Sequence, residues 1–298
     1  MDEVLQLLIT DPAGLYVDGT VGGGGHARAI LEAIGPRGTL IGLDRDPDAI
    51  EGAASRLSTY GERVELVTAP ASRLASILTE RGIEKVDGVL LDLGLSSDQL
   101  ASGRGFSFDH AGELDLRFNP QESRPPVHAL LARMESGELV AALMRYGEFT
   151  RRESRRFATR LLATRDERGL QGVEDLRAAL DPVMPPHRRA RTLARLFQCL
   201  RILANDELHE VERALEVAAS QLRSGGILCV ISYHSLEDRL VKRFFRPPAP
   251  PRRDLPPPPG WQDALFDELT RRPLRPGAGE TAANPRARSA KLRAARRK

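Results

Sequence analysis

The chain is poor in cysteine, in aromatic residues and in long apolar runs, and each scarcity excludes something. Only two cysteines, Cys199 and Cys229, occur in 298 residues, so a disulfide scaffold is excluded and a four-cysteine zinc site cannot be built. Both lie in apolar runs and read as small buried hydrophobes. No stretch approaches the ~18 consecutive apolar residues that a membrane-spanning helix needs. The opening MDEVLQLLITDPAG has neither a basic segment nor a small-residue cleavage site, so no secretory signal is expected. These features point to the cytoplasm and away from a membrane partner. Aromatics make up 5 %, yet hydrophobic residues reach 41 %, enough for one large domain or two smaller ones.

Charge is nearly balanced: 44 basic against 41 acidic residues leave +3, too little to identify a nucleic-acid partner. Its distribution says more. Arg151, Arg152, Arg155 and Arg156 fall within six residues, and Arg188, Arg189, Arg191 and Arg195 follow. The last 13 residues carry seven basic side chains: Arg286, Arg288, Lys291, Arg293, Arg296, Arg297 and Lys298. Uneven positive charge is the footprint of a phosphate-backbone binder. It suits a merely solvated surface equally well.

Apolar runs at 15–18, 39–44, 64–69 and 86–94 alternate with helical patterns at 26–35, 47–61 and 72–82. Strands that are apolar throughout, separated by helices, predict an α/β fold with a parallel sheet covered on both faces. From 127 to about 217 the pattern is helical, with candidates at 127–134, 136–146, 151–164, 173–180, 187–204 and 206–222. A strand returns at 226–234, followed by a helix at 236–245. The Pro-rich 247–259 reads as a stiff extended segment, 261–269 as a short helix, and the remainder as basic and mostly polar. The economical division is a first part at 1–106, a helical insertion on the substrate side at 107–200, and a second part at 201–298.

Asp18-Gly19-Thr20-Val21-Gly22-Gly23-Gly24-Gly25-His26 separates the first strand from the first helix of this alternating run. Glycines let a backbone approach a ligand closely, and a helix start offers free N–H groups. Asp44 ends the second strand, where a carboxylate suits a ribose diol. Gly22-x-Gly24-x-x-Ala27 fits a dinucleotide pattern literally, so the turn alone leaves the cofactor open. Asp18 shifts the balance toward S-adenosylmethionine. A carboxylate there repels a pyrophosphate but can hold a water or an ammonium. Asp92, closing the fourth strand, lies where a second substrate would arrive.

Seven ordered segments carry a family resemblance: DGTVGGGGHARAIL (18–31), GLDRDPDAI (42–50), DGVLLDLGLSSDQL (87–100), RGFSFDHAGELDLRFNP (104–120), FQCLRILANDELHEVERAL (197–215), GGILCVISYHSLEDRLVKRFF (225–245) and NPRARSAKLR (284–293). Together they resemble the bacterial small-subunit (16S) rRNA cytosine-N4 methyltransferases. The resemblance implies a class I Rossmann-like methyltransferase domain with an inserted all-helical domain. It implies S-adenosyl-L-methionine as cofactor and methyl transfer to the N4 amine of a cytidine in the decoding region, with the 30S subunit as partner. It assigns cofactor contacts to Gly24, Gly25, His26, Asp44, Asp92 and Gln99, beside the Asp18 and Gly22 already singled out. The chain departs from the family in several places. Ala71 stands where an aromatic residue usually packs on adenine. RTLAR (191–195) replaces a Pro-Ala-Thr-Arg segment and keeps only Arg195. Leu116 and Asn119 replace a Met and an Asp, and no His-x-Pro-Val-Leu segment precedes the first helix.

The exocyclic amine is a weak nucleophile, so the reaction needs acceptors that orient it, not a thiolate or a metal. Asp92, Ser96 and His234 are the catalytic candidates, and Glu237 and Asp238 are further candidates for touching the base. Arg104 suits a phosphate, and Phe106 or Phe108 suits stacking on an extruded base; both rings equally suit sealing a domain junction. Arg195, Arg286 and Arg288 complete the RNA-contact set. Two alternatives stay open: a methyltransferase for another RNA base amine, and a non-catalytic RNA-binding or ribosome assembly factor. Apolar helix faces in the insertion leave a homodimer open.

Overall fold

The computed structural model describes residues 1–246 and 264–298. Two compact units divide the chain: Met1–Gly94 with Leu208–Lys298, and Leu95–Glu207. The first unit opens with α1 (Asp2–Leu8), β1 (Leu15–Asp18), α2 (Gly25–Ala33), β2 (Thr39–Asp44), α3 (Pro47–Leu57), β3 (Val64–Thr68), α4 (Leu74–Glu80) and β4 (Val86–Asp92). The second contains α5 (Ser97–Ala101), α6 (Val127–Arg133), α7 (Ser136–Arg145), α8 (Arg151–Arg168), α9 (Val173–Leu180) and α10 (Arg189–Asn205). The chain then continues through α11 (Glu207–Gln221), β5 (Leu222–Ser232), α12 (Ser235–Phe245), β6 (Phe266–Glu268), α13 (Ala278–Ala283) and β7 (Lys291–Arg297).

The strand order is β3-β2-β1-β4-β5-β7-β6. The first five strands are parallel, as the apolar runs predict. Side chains alternate between the two faces with period two. Val17, Val89, Leu91, Leu228 and Val230 pack against α4, α11 and α12. Tyr16, Leu90, Ile227, Cys229 and Ile231 pack against α1, α2 and α3. Both cysteines are buried, and burial pushes each thiol up to about 12.

Two expectations need correction. The sheet is not purely parallel, because KLRAARR forms β7, antiparallel to β5 and β6. Leu292, Arg293, Ala294 and Ala295 are buried there, so this part of the basic tail is core. Arg293 tolerates burial because its Nε donates to Asp238 Oδ1 at 2.7 Å. The helix expected at 261–269 is replaced by β6, whose Phe266 packs with Phe244 and Phe245. Residues 261–263 and the Pro-rich 247–259 lie outside the described residues.

The helical unit has its own core, built from Leu114, Leu131, Leu143, Phe157, Leu161, Leu176, Leu196 and their neighbours. The block expected at 107–200 falls within it. Among the described residues, no helix is long and apolar enough to cross a membrane.

Candidate active site

In the strand order, the chain turns outward in opposite directions from β1 and β4, which are neighbours. A crevice opens at the carboxyl ends of strands where the order reverses in this way. Three strands deliver an acid there: Asp18 from β1, Asp44 from β2 and Asp92 from β4. The turn after β1 is fixed by backbone bonds from Gly19 N to Leu90 O and from Val21 N to Leu43 O, each 2.8 Å. Gly24 then caps α2 at φ 79°, a left-handed conformation that favours glycine. Gly25 is different. Its φ is ordinary, and a Cβ placed there meets nothing within 4 Å. The fold does not require glycine at this exposed position.

Asp18 is fully buried, and its Oδ1 accepts from Thr20 N at 3.2 Å while Oδ2 has no partner among the described residues. Burial pushes its carboxyl up to about 7, against the opposing pull of His26 and Thr20 N–H, and with Asp92 and Asp44 adding to the rise. Asp44 accepts from Gly22 N on one oxygen (2.8 Å) and from Asp46 N on the other (2.9 Å). Burial raises its pKa despite these two donors. His26 Nε2 stands 3.4 Å from Asp92 Oδ2. Burial disfavours the imidazolium, but Asp92 and Asp18 outweigh it and raise the His26 pKa. Among the described residues, His26 Nδ1 and Asp92 Oδ1 are buried without hydrogen-bond partners. Ala71 borders the same floor: a Cβ on Gly19 would come within 3.2 Å of the Ala71 Cβ.

The geometry adds residues that sequence reasoning passed over. Thr20 Oγ1 accepts from Asp92 N at 2.6 Å and so ties the glycine turn to the end of β4. Tyr233, immediately after β5, packs on Gly94; burial, then the nearby Asp92 carboxylate, pushes its pKa well up. The one signal was its place after a strand end.

Beyond Asp92, the expected polar acceptors of this unit are knitted into a helix start. His234 caps α12, its Nδ1 accepting from Glu237 N at 3.4 Å. The buried Glu237 accepts from Tyr233 N (2.8 Å) and His234 N (3.2 Å). Asp238 binds Arg293 and Lys291. Burial pushes the Asp238 carboxyl up, yet those two cations outweigh it and hold it below its ordinary value. Arg286 and Arg288 are exposed on the turn before β7.

In the helical unit, Ser96 and Gln99 form the capping box of α5, each accepting the other's N–H at 3.0 Å. Phe106 is only 5 % exposed and stacks on Phe118, with the Arg104 guanidinium over its ring. Arg104 also donates to Phe118 O at 2.7 Å. Phe108 meets Phe197 edge-on. Arg195 donates to Gly147 O (2.9 Å) and Glu148 O and lies 4.1 Å from the Phe149 ring centroid. These four side chains brace their own unit. Leu116, one of the departures, holds a left-handed φ of 60°, and the buried Asn205 amide secures its carbonyl at 2.7 Å.

Three relatives, each called "Ribosomal RNA small subunit methyltransferase H", are similar over nearly the whole chain. The protein from Magnetococcus marinus is 40 % identical over 304 residues, covering 100 % of this chain and 96 % of its own. That from Geobacter sulfurreducens is 45 % identical over 301 residues, covering 98 % and 96 %. That from Heliobacterium modesticaldum is 42 % identical over 306 residues, covering 99 % and 96 %. The profile of the MraW methylase family matches residues 1–298, and with an acid-ended α/β sheet already in place, the chain belongs to that family.

Proposed function

We propose that this chain transfers a methyl group from S-adenosyl-L-methionine to the exocyclic N4 amine of a cytidine in the decoding region of small-subunit rRNA, acting in the cytoplasm on the 30S subunit. The observation that carries the reading is the set of buried, unpartnered polar atoms around the glycine turn: Asp18 Oδ2, His26 Nδ1 and Asp92 Oδ1. Each such atom costs about 1–3 kcal/mol unless something satisfies it. A polar, cationic ligand satisfies several at once, whereas the two carboxylates repel a pyrophosphate. Family membership and the names of the relatives support the reaction class and the RNA target.

The residues present fit the cofactor. Asp44 uses one lone pair on each oxygen for backbone N–H groups and keeps the others for a ribose diol. Asp18 takes the ammonium, and the open side of Gly25 admits close approach of the ligand. S-adenosylmethionine supplies an electrophilic sulfonium methyl when bound. The cytosine amine is a poor nucleophile because its lone pair is shared with the ring. Asp92 Oδ1 would accept a hydrogen bond from the amine, turn its lone pair toward the methyl, and take up the proton the amine loses on methylation. His26, beside it, balances the carboxylate charge. Most of the rate then comes from alignment and exclusion of water. Gln99 enters as a further contact through the resemblance, Ser96 and His234 through their loops at strand ends, and the exposed Arg286 and Arg288 as phosphate contacts.

Calorimetric titration tests the cofactor assignment. S-adenosylmethionine or its demethylated product should bind saturably and NAD should not. Saturable NAD binding with no response to S-adenosylmethionine overturns the reading.

A further inference from the structure

We propose that the exposed arginine face formed by the start of α8 and the start of α10 docks the phosphate backbone of the RNA substrate. The proposal rests on the rRNA reading above and names the surface that serves it. α8 buries Ser154, Phe157, Ala158 and Leu161 and turns Arg151, Arg152, Arg155 and Arg156 outward. This arrangement is unfavourable for the helix by itself. Four cations occupy its first two turns, the positive end of the helix dipole. Arg151 with Arg155, and Arg152 with Arg156, are like-charged i,i+4 pairs, which repel.

Local acids relieve the repulsion only in part, through the attraction of Glu153 to Arg156 and Arg195. Glu153, the one acid in those two turns, accepts from Thr150 N at 2.9 Å and Thr150 Oγ1 at 2.8 Å, closing the capping box. Among the described residues, Arg151, Arg152 and Arg155 have no acidic partner.

α10 reaches the start of α8 through Arg195. Arg195 braces the Gly147–Phe149 turn that leads into α8 and so acts as its positioning residue. Arg191, one turn back along α10 and ~6 Å away along the axis, is exposed and has no acidic partner among the described residues. Every cation of the patch is arginine. Its planar fork matches a phosphate in two hydrogen bonds, where a lysine offers a point charge. A polyanion removes the repulsion and uses that geometry.

The test is a binding titration of the full chain with an unmethylated small-subunit rRNA transcript across a range of salt concentrations. The variant carries Arg151→Gln, Arg152→Gln, Arg155→Gln and Arg191→Gln. A control carries four exposed changes elsewhere: Arg56→Gln, Arg133→Gln, Arg168→Gln and Arg272→Gln. Each lost phosphate contact lowers the salt slope by about 0.7–0.9, so the variant should lose about 3 from its slope. The control should keep its slope, and the variant should melt no lower than the unaltered chain. Equal loss in variant and control, or an unchanged slope in the variant, overturns the surface. If the unaltered chain methylates the RNA while the variant's slope is unchanged, the surface alone falls. If the unaltered chain binds no rRNA at any salt, surface and rRNA reading fall together.

Discussion

His26 Nε2 lies 3.4 Å from Asp92 Oδ2, so the imidazole at the start of α2 reaches the end of β4 across the mouth of the crevice. Asp92 is among the groups that raise the His26 pKa against burial. Asp92→Asn should therefore move the His26 titration down, as followed by NMR of the imidazole. A raised histidine pKa stabilises the fold below its unfolded value and loses that contribution as pH rises through the folded one. The variant should thus lose stability on the acid side and little at high pH. An unmoved His26 titration would separate the two residues.

Asp18 makes cofactor binding pH-dependent. Its carboxyl titrates at about 7, raised from 3.8 by burial. Affinity for a ligand carrying an ammonium should rise as pH passes through 7 and level off above it. Stability runs the other way. Between 3.8 and about 7 the folded chain holds a proton that the unfolded chain has lost, so stability falls across that window as pH rises. Asp18→Asn should abolish both trends, raising the melting temperature at pH 8 relative to the unaltered chain while weakening the cofactor. Calorimetric titrations and melts at several pH values check both arms.

Gly25 separates folding from binding. Because nothing lies within 4 Å of its would-be Cβ, Gly25→Ala should leave the fold intact or stabilise it by about 0.5–1 kcal/mol. The same methyl group fills space the ligand uses, so the cofactor dissociation constant should rise at least ~10-fold, about 1.4 kcal/mol. An unchanged constant in a direct titration would place Gly25 outside the site.

Asp44 does two jobs, and truncation should expose both. Asp44→Ala removes the ribose acceptor, a loss of roughly 1.5–3 kcal/mol in cofactor binding. It also strips the partner from Gly22 N and Asp46 N. Its melting temperature should fall even without ligand, whereas a change confined to binding would contradict the structural half of this account.

Arg293 links α12 to β7 through Asp238, and its side chain is almost wholly buried. Arg293→Leu removes a charge-assisted hydrogen bond while Lys291 still faces Asp238, so it should cost roughly 1.5–3 kcal/mol in a denaturant melt. Asp238 sits below its ordinary pKa, so the pair's contribution is present above the unfolded value and is lost as pH falls through the folded one. Asp238→Asn should flatten that acid limb.

Much of the parallel sheet was legible because β1, β2 and β4 are apolar runs that each end in an acid, and the same ending located Asp18, Asp44 and Asp92. β7 was not legible. Its Arg293 counts as polar until Asp238, 55 residues earlier, is known to meet it. The same limit governs the helical unit. Phe106 and Arg195 read as free to meet RNA, but their partners Phe118 and Gly147 are set by tertiary packing that no local period reports. Gly24 and Gly25 are indistinguishable in sequence, and only backbone geometry separates the one the turn requires from the one it does not.

The most direct test is to incubate the chain with labelled S-adenosylmethionine and unmethylated small subunits, alongside naked rRNA, and to identify the modified nucleoside by mass spectrometry. The account predicts N4-methylcytidine that disappears with Asp92→Asn. A different methylated nucleoside, or RNA binding with no methyl transfer to either substrate form, would contradict it.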